Sequence, residues 1–245
     1  MLAFETILLD NCHLRSERVD IWQFSLSTLP DFATSLLSED EQTRANRFYF
    51  ARHQRHFTVA RAMLRLILAR YLQEDAGQLR FTYNHYGKPQ VKNSQHLEFN
   101  LSHSDDLALL AVGQQTPLGI DLEFFSARPY DGIAKNLFSQ QELQAFLRLP
   151  AHLKPLAFFH IWSQKEAFIK ACGLGLAYPT QDFNVPVLPP TQAQLITDNL
   201  HNTEWQMSSF MPELACSAAL CCHPEIKKFG YISLPDLEDF KPNSI

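Results

Sequence analysis

The chain has 245 residues, 46% hydrophobic and 19% charged, with 21 Lys and Arg against 26 Asp and Glu. Those proportions exclude wholesale disorder, a collagen-like repeat and a cysteine-stapled miniprotein, and the formal charge of −5 argues against general nucleic-acid coating. The longest apolar runs, such as 107–112, fall far short of the ~20 residues that cross a bilayer.

Residues 3–30 mix short apolar alternations with Pro30 and read as strand and loop. Ser38-Glu39-Asp40-Glu41 has capping-box spacing, with Ser38 as N-cap and Glu41 three residues on. From Gln42 to Gln73 there is no Asp or Glu but there are seven arginines: Arg44, Arg47, Arg52, Arg55, Arg61, Arg65 and Arg70. On a helical wheel Phe57, Ala60, Leu64, Ile67 and Tyr71 share one arc and the arginines take the opposite half, with a break expected near Arg55–Phe57. This is either a solvated face or an anion platform suited to phosphate.

Short strands are expected at 79–83, 97–101, 107–112 and 118–124, with Tyr86-Gly87-Lys88-Pro89 as a tight turn. Residues 138–149 read as a helix with Ser139 as N-cap and Glu142 in the capping-box position, and 155–172 as a long helix closed by Gly173-Leu174-Gly175. Strand-like pieces at 183–187, 204–207 and 215–221 alternate with turns. The opening MLAFETILLD lacks the basic and long apolar regions of a secretory signal. Cys12, Cys172, Cys216, Cys221 and Cys222 form an irregular set without C-x-x-C, which suits a reducing compartment. A cytoplasmic location is expected, with no membrane and no nucleic-acid partner.

In Gly119-Ile120-Asp121-Leu122-Glu123, a strand places Asp121 and Glu123 on one face and Ile120 and Leu122 on the other. Carboxylates so close repel unless protonated, hydrogen-bonded or neutralised, and magnesium is one solution; a polar strand edge is the alternative. In Trp162-Ser163-Gln164-Lys165-Glu166-Ala167-Phe168-Ile169-Lys170, Trp162, Glu166 and Lys170 share a helix face. Glu166 could be a third metal carboxylate or a base and Lys170 a phosphate contact, or the two are an ordinary helix ion pair. Asn100-Leu101-Ser102-His103-Ser104 is a polar burst after a strand. Asp105 and Asp106 lie nearby, but no G-x-S-x-G elbow supports a serine hydrolase, and Gly87-Lys88-Pro89 is not a Walker loop. Separated carboxylates, phosphate-ready cations and no evident nucleophile suit magnesium-assisted transfer of a phosphate-containing group.

These blocks resemble the Sfp-type 4'-phosphopantetheinyl transferases: Leu118-Gly119-Ile120-Asp121-Leu122-Glu123, Phe138-Ser139-x-x-Glu142, Trp162-Ser163-x-Lys165-Glu166-Ala167-x-x-Lys170, and upstream Tyr86-Gly87-Lys88-Pro89 and Phe99-Asn100-Leu101-Ser102-His103-Ser104. The resemblance runs from about residue 38 to 180. It implies a monomer of two similar α+β lobes with pseudo-twofold symmetry, here 1–112 with the Arg-rich helix and 113–245 with the metal-binding carboxylates, and coenzyme A in the cleft between them. The implied reaction moves 4'-phosphopantetheine from coenzyme A to a serine of an apo-acyl, aryl or peptidyl carrier protein and releases adenosine 3',5'-bisphosphate. By the family pattern Asp121, Glu123 and Glu166 hold magnesium, and Glu166, directly or through water, activates the carrier serine. Lys170 meets the transferred phosphate, and Arg44, Gly87, Lys88, Pro89, Ser102 and His103 hold coenzyme A. A magnesium phosphodiesterase or pyrophosphohydrolase would instead release free phosphopantetheine without a carrier, and a coenzyme A-binding module would show no magnesium-dependent turnover.

Overall fold

Alternation along the strands sorts the chain into two sheets that share a seam. The computed structural model describes residues 5–6, 12–94, 96–190, 192–234 and 237. Strands β1 (Glu5–Thr6) and β2 (Arg18–Ser25) lead to helices α1 (Ala33–Leu36), α2 (Glu39–Ala45) and α3 (Ala51–Leu72). Strands β3 (Phe81–Tyr83), β4 (Pro89–Val91), β5 (Leu97–Ser104), β6 (Leu107–Gln114) and β7 (Gly119–Phe124) follow. Helices α4 (Tyr130–Leu137), α5 (Gln140–Leu147) and α6 (Lys154–Cys172) precede β8 (Gln194–Asp198), β9 (Thr203–Phe210), β10 (Cys216–Cys222) and β11 (Lys228–Leu234). The first sheet has order β1-β11-β2-β6-β5, the second β7-β10-β9-β8, and β3 and β4 form a separate hairpin.

Trp22 and Phe24 of β2, with Ala108, Leu110 and Val112 of β6, enter the core beneath α3. Their alternates Val19, Ile21, Leu107, Leu109 and Ala111 face the other way, onto Ile120 and Leu122 of β7 and Ala218 and Leu220 of β10. Ala219 and Cys221 of β10 lie in the third core, with Phe159, Phe168 and Ala171 of α6. Strands covered on both faces need apolar side chains on both, which is why β6 reads as an unbroken apolar run. The result is two α+β lobes, each with a long helix on its outer face, back to back across the seam.

Several expectations are corrected. The Arg-rich segment is two helices that part at 46–50, not near Arg55–Phe57. Nor do all its arginines face away from the core: Arg61 and Arg65 are buried on Glu41. Residues 183–187 form no strand, α4 was not anticipated, and α5 is shorter than 138–149. Strand β11, late in the sequence, returns to the first sheet and pairs in parallel with β2 from Arg18 to Phe24.

Each lobe buries a capping-box glutamate against cations of its long helix. In the first, Glu41 accepts the Ser38 N–H and hydrogen bonds from Arg61 Nε at 2.8 Å and Arg65 Nε at 2.7 Å. Burial alone would raise its pKa, but the two guanidiniums hold it below the usual value. In the second, Glu142 accepts the Ser139 N–H and pairs with Lys165 Nζ at 3.0 Å. The repetition of this device is the plainest internal sign of the pseudo-symmetry.

Gly119 fixes how closely β7 can approach α6. A Cβ at this position would lie 2.1 Å from the Ala167 carbonyl oxygen and 2.4 Å from the Ala171 nitrogen, both backbone atoms that cannot swing aside. Gly119→Ala is therefore expected to destabilise the fold by roughly 3 kcal/mol or more, read by thermal denaturation. Gly132→Ala, where a Cβ meets nothing within 4 Å, is the control and should be neutral or mildly stabilising. Equal melting points for the two variants would contradict this account of the contact.

Candidate active site

The close approach at Gly119 carries β7's outward-facing residues onto α6, while β5 lines the opposite side. Side chains stitch β5 to β7: Ile120 N–H donates to Asn100 Oδ1 at 2.8 Å and Phe124 N–H to Ser104 Oγ at 3.2 Å. Leu101, Ser102, His103, Asp121, Glu123, Trp162, Glu166 and Lys170 together line an open cleft of about 350 Å³.

Asp121 is buried in its floor. Its Oδ1 accepts from Lys170 Nζ at 2.6 Å and from Ser102 Oγ at 2.8 Å, while Lys170 Nζ also donates to Ser102 Oγ at 2.8 Å. Its Oδ2 is buried without a hydrogen-bond partner among the described residues, which is costly unless something else occupies that direction. Glu123 accepts from Trp162 Nε1 at 3.2 Å and Ser104 Oγ at 3.4 Å; desolvation first, then the charge of Asp121, raises its pKa. Glu166 is pushed up to about 7, by desolvation first and then by Asp121, with Lys170 opposing. Burial and neighbouring charge thus hold Glu123 and Glu166 above the usual carboxylate range, surroundings that a divalent cation would relieve.

Among the described residues no group of three His, Cys, Asp or Glu side chains is already arranged to hold a metal ion. The three carboxylates nevertheless share one cleft, supply only oxygen donors, and include the unpartnered Asp121 Oδ2, so the residues present fit a hard cation such as magnesium.

The remaining expected residues fall into two groups. Ser102, His103 and Lys170 lie in the cleft. His103 keeps an exposed ring; desolvation, then the neighbouring His56 and Lys170, lower its pKa. Lys88 is turned inward, its Nζ donating to the Leu118 carbonyl at 3.0 Å and the Ala171 carbonyl at 3.4 Å, and desolvation lowers its pKa. It ties its turn to the start of β7 and the end of α6. Gly87 supplies a left-handed φ of +86°, and Pro89 opens β4. Asn84 holds the turn together, accepting the N–H groups of Tyr86 and Lys88 and donating to the Gly173 carbonyl. Arg44 is exposed in a separate groove with Arg47 and Phe48, its guanidinium 5.2 Å from the Phe57 ring centroid.

The sequence marked Ser104 only as a possible hydrogen-bond donor and gave Asn100 no separate role; both side chains join the strands. The only signal was their place in one polar burst, at alternate positions of β5. Lys165, inside the same sequence block as Glu166, faces the opposite way into the core.

Comparison with known proteins gives two family models in tandem. The N-terminal 4'-phosphopantetheinyl transferase model matches residues 20–115, and the 4'-phosphopantetheinyl transferase superfamily model matches residues 117–219. The chain is 39% identical over 220 residues to 4'-phosphopantetheinyl transferase HetI of Nostoc sp. (strain PCC 7120), an alignment covering 86% of this chain and 90% of the relative. It is 33% identical to the psf-1 transferase of Bacillus pumilus, over 76% of this chain and 78% of the relative. With 4'-phosphopantetheinyl transferase Sfp of Bacillus subtilis the identity is 29%, over 78% and 84%.

Proposed function

The chain belongs to the 4'-phosphopantetheinyl transferase family, and from that membership we propose how its cleft works. The enzyme transfers 4'-phosphopantetheine from coenzyme A to a serine of an apo-carrier protein. The observation that carries the reading of the site is the acid-lined cleft at the seam, where Asp121 Oδ2 has no partner among the described residues and Lys170 stands beside it.

In the proposed mechanism the serine Oγ bonds to the pantetheine-side phosphorus of the pyrophosphate. The bond from that phosphorus to the bridging oxygen breaks, and adenosine 3',5'-bisphosphate leaves with the oxygen and both bonding electrons. Glu166, directly or through a water it holds, takes the serine proton. Lys170, now hydrogen-bonded to Asp121 and Ser102, is the cation placed to meet phosphate oxygens. Asp121, Glu123 and Glu166 would hold magnesium, which when bound neutralises pyrophosphate charge. Ser102 and His103 lie on the coenzyme A side, with Arg44 and the 86–89 turn offering further contacts. Both walls of the cleft come from one chain, which supports a monomer, and the set of cysteines supports work in the cytoplasm.

The deciding experiment incubates the protein with coenzyme A, magnesium and a panel of apo-carriers, read by intact mass. A phosphopantetheine gain on a carrier is expected. Release of free phosphopantetheine with every carrier left unmodified would overturn the reading in favour of a hydrolase. His103→Ala is expected to weaken coenzyme A binding about tenfold by calorimetry, the loss of one charge-assisted phosphate contact. Unchanged affinity would remove His103 from the binding site.

A further inference from the structure

The turn at 84–88 belongs to the first lobe by sequence, but its side chains bond to the second. Lys88 Nζ donates to the Leu118 carbonyl, immediately before β7, and to the Ala171 carbonyl near the end of α6. Asn84 Nδ2 donates to the Gly173 carbonyl at 2.8 Å. The elements gripped in this way carry the charges of the cleft, Asp121 and Glu123 on β7 and Glu166 and Lys170 on α6. The two segments are also in close contact. A Cβ at Gly175 would meet Tyr86 Cβ at 3.6 Å, and one at Gly173 would lie 3.3 Å from Asn84 Nδ2.

Every polar atom of Asn84 is engaged. Its N–H donates to the Lys88 carbonyl and its carbonyl accepts the Gly87 N–H, both at 3.0 Å. Its Oδ1 accepts the N–H groups of Tyr86 at 2.9 Å and Lys88 at 2.8 Å. The oxygen therefore builds the turn, and the nitrogen joins it to the other lobe. Two amide donors on one side and a carbonyl on the other fix this orientation of the side-chain amide. The far side of the joint is anchored too. Cys172 and Tyr178, on either side of Gly173, donate to the buried Asp198 of β8, the thiol at 3.7 Å and the hydroxyl at 2.8 Å. Gly173 closes α6 at φ +72°, a left-handed conformation that suits glycine, so its carbonyl has a set direction.

We propose that Asn84 is a positioning residue for coenzyme A, a clasp that holds the turn of the first lobe at a fixed distance from Lys170 of the second. The proposal rests on the transferase reading, in which coenzyme A meets the 86–89 turn with its nucleotide end and Lys170 with its pyrophosphate. A ligand that reaches both walls binds tightly only if their separation is set beforehand. A fragment held by one wall is indifferent to that separation. Asn84 acts through the backbone that it holds.

The test uses the full chain, coenzyme A, magnesium and a carrier that the wild type modifies, so failure of the transferase reading shows first, as no modification by the wild type. Asn84→Asp keeps the oxygen that accepts the two turn amides and replaces the donor to Gly173 with a second oxygen, which opens the clasp and leaves the turn. It should raise the KM for coenzyme A about tenfold, the effect of one hydrogen bond lost and a carboxylate set against a carbonyl, with the carrier KM unchanged. The inhibition constant of adenosine 3'-phosphate, the nucleotide end alone, should stay at its wild-type value. Asn84→Ala removes both functions and should weaken both ligands. Rates are read below each variant's melting point, where a purely structural loss would lower kcat and leave KM alone. A coenzyme A KM unchanged in Asn84→Asp, or in Asn84→Ala if the aspartate variant does not fold, would overturn the proposal. So would equal weakening of coenzyme A and adenosine 3'-phosphate by Asn84→Asp, because Asn84 would then shape the turn alone.

Discussion

Glu166→Gln is expected to fold normally, retain coenzyme A binding, and transfer phosphopantetheine at least about 100-fold more slowly, a loss of roughly 2.7 kcal/mol in transition-state stabilisation. The amide keeps the side chain's shape and removes two things at once: a negative charge near Asp121 and Glu123, and the basic oxygen proposed to take the serine proton. In the folded chain Glu166 is half-buried with both other carboxylates acting on it, so neutralising it relieves repulsion and should not harm stability. Magnesium titration separates the two roles. Recovery at high magnesium would assign the defect to metal affinity, and a slow rate at saturating metal would assign it to proton removal. A near-normal rate by time-resolved intact mass would remove Glu166 from both.

Lys165→Met, one residue earlier, should have the opposite phenotype. Lys165 is fully buried, 3.0 Å from Glu142, and donates to the carbonyls of Thr180 at 2.6 Å and Phe183 at 2.9 Å. Glu142 in turn accepts the N–H groups of Ser139 and Val185, so the pair joins α5, α6 and the 180–185 segment. Removing the amine leaves a buried carboxylate without its counter-charge, expected to cost about 3–5 kcal/mol. For a chain of this size the melting point should fall by roughly 10 °C. Removing both charges in Glu142→Leu/Lys165→Met should be less damaging than the two single losses added together, because neither partner is then stranded. Additive losses would mean that the pair is not coupled.

The contrast between these neighbours marks what was legible in the sequence. Strand alternation separated Asp121 and Glu123 from Ile120 and Leu122, and i, i+4 spacing put Trp162, Glu166 and Lys170 on one face; the structure has all five polar residues of those sets in one cleft. The resemblance marked Lys165 and Glu166 alike as parts of one block. Only packing shows that consecutive helix positions, about 100° apart, send one into the core and the other to the cleft. The Arg-rich segment misled for a related reason. A helical wheel reports direction and not partners, so it could not foresee that Glu41, on another helix, would draw Arg61 and Arg65 inside. Lys88 sat on a turn where an amine would be expected to reach solvent, yet it bonds to carbonyls contributed from more than two elements away. Strand β11 carried no signal of its partner, since parallel pairing at long range has no local sequence cue.

That last strand also bears on how the protein is made. β11 lies between β1 and β2 in the first sheet, and its pairing of Lys228 with Arg18 joins positions roughly 210 residues apart. During synthesis β2 emerges long before its neighbour exists, so one flank of β2 waits unpaired while the second lobe is translated. The first lobe is then an unfinished unit with an open strand edge, a state that chaperones would be expected to guard. A gene split between the lobes should give an amino-terminal fragment that aggregates alone and is rescued by coexpression of the remainder. The returning strand ties the two similar lobes together, and they are expected to fold as one unit.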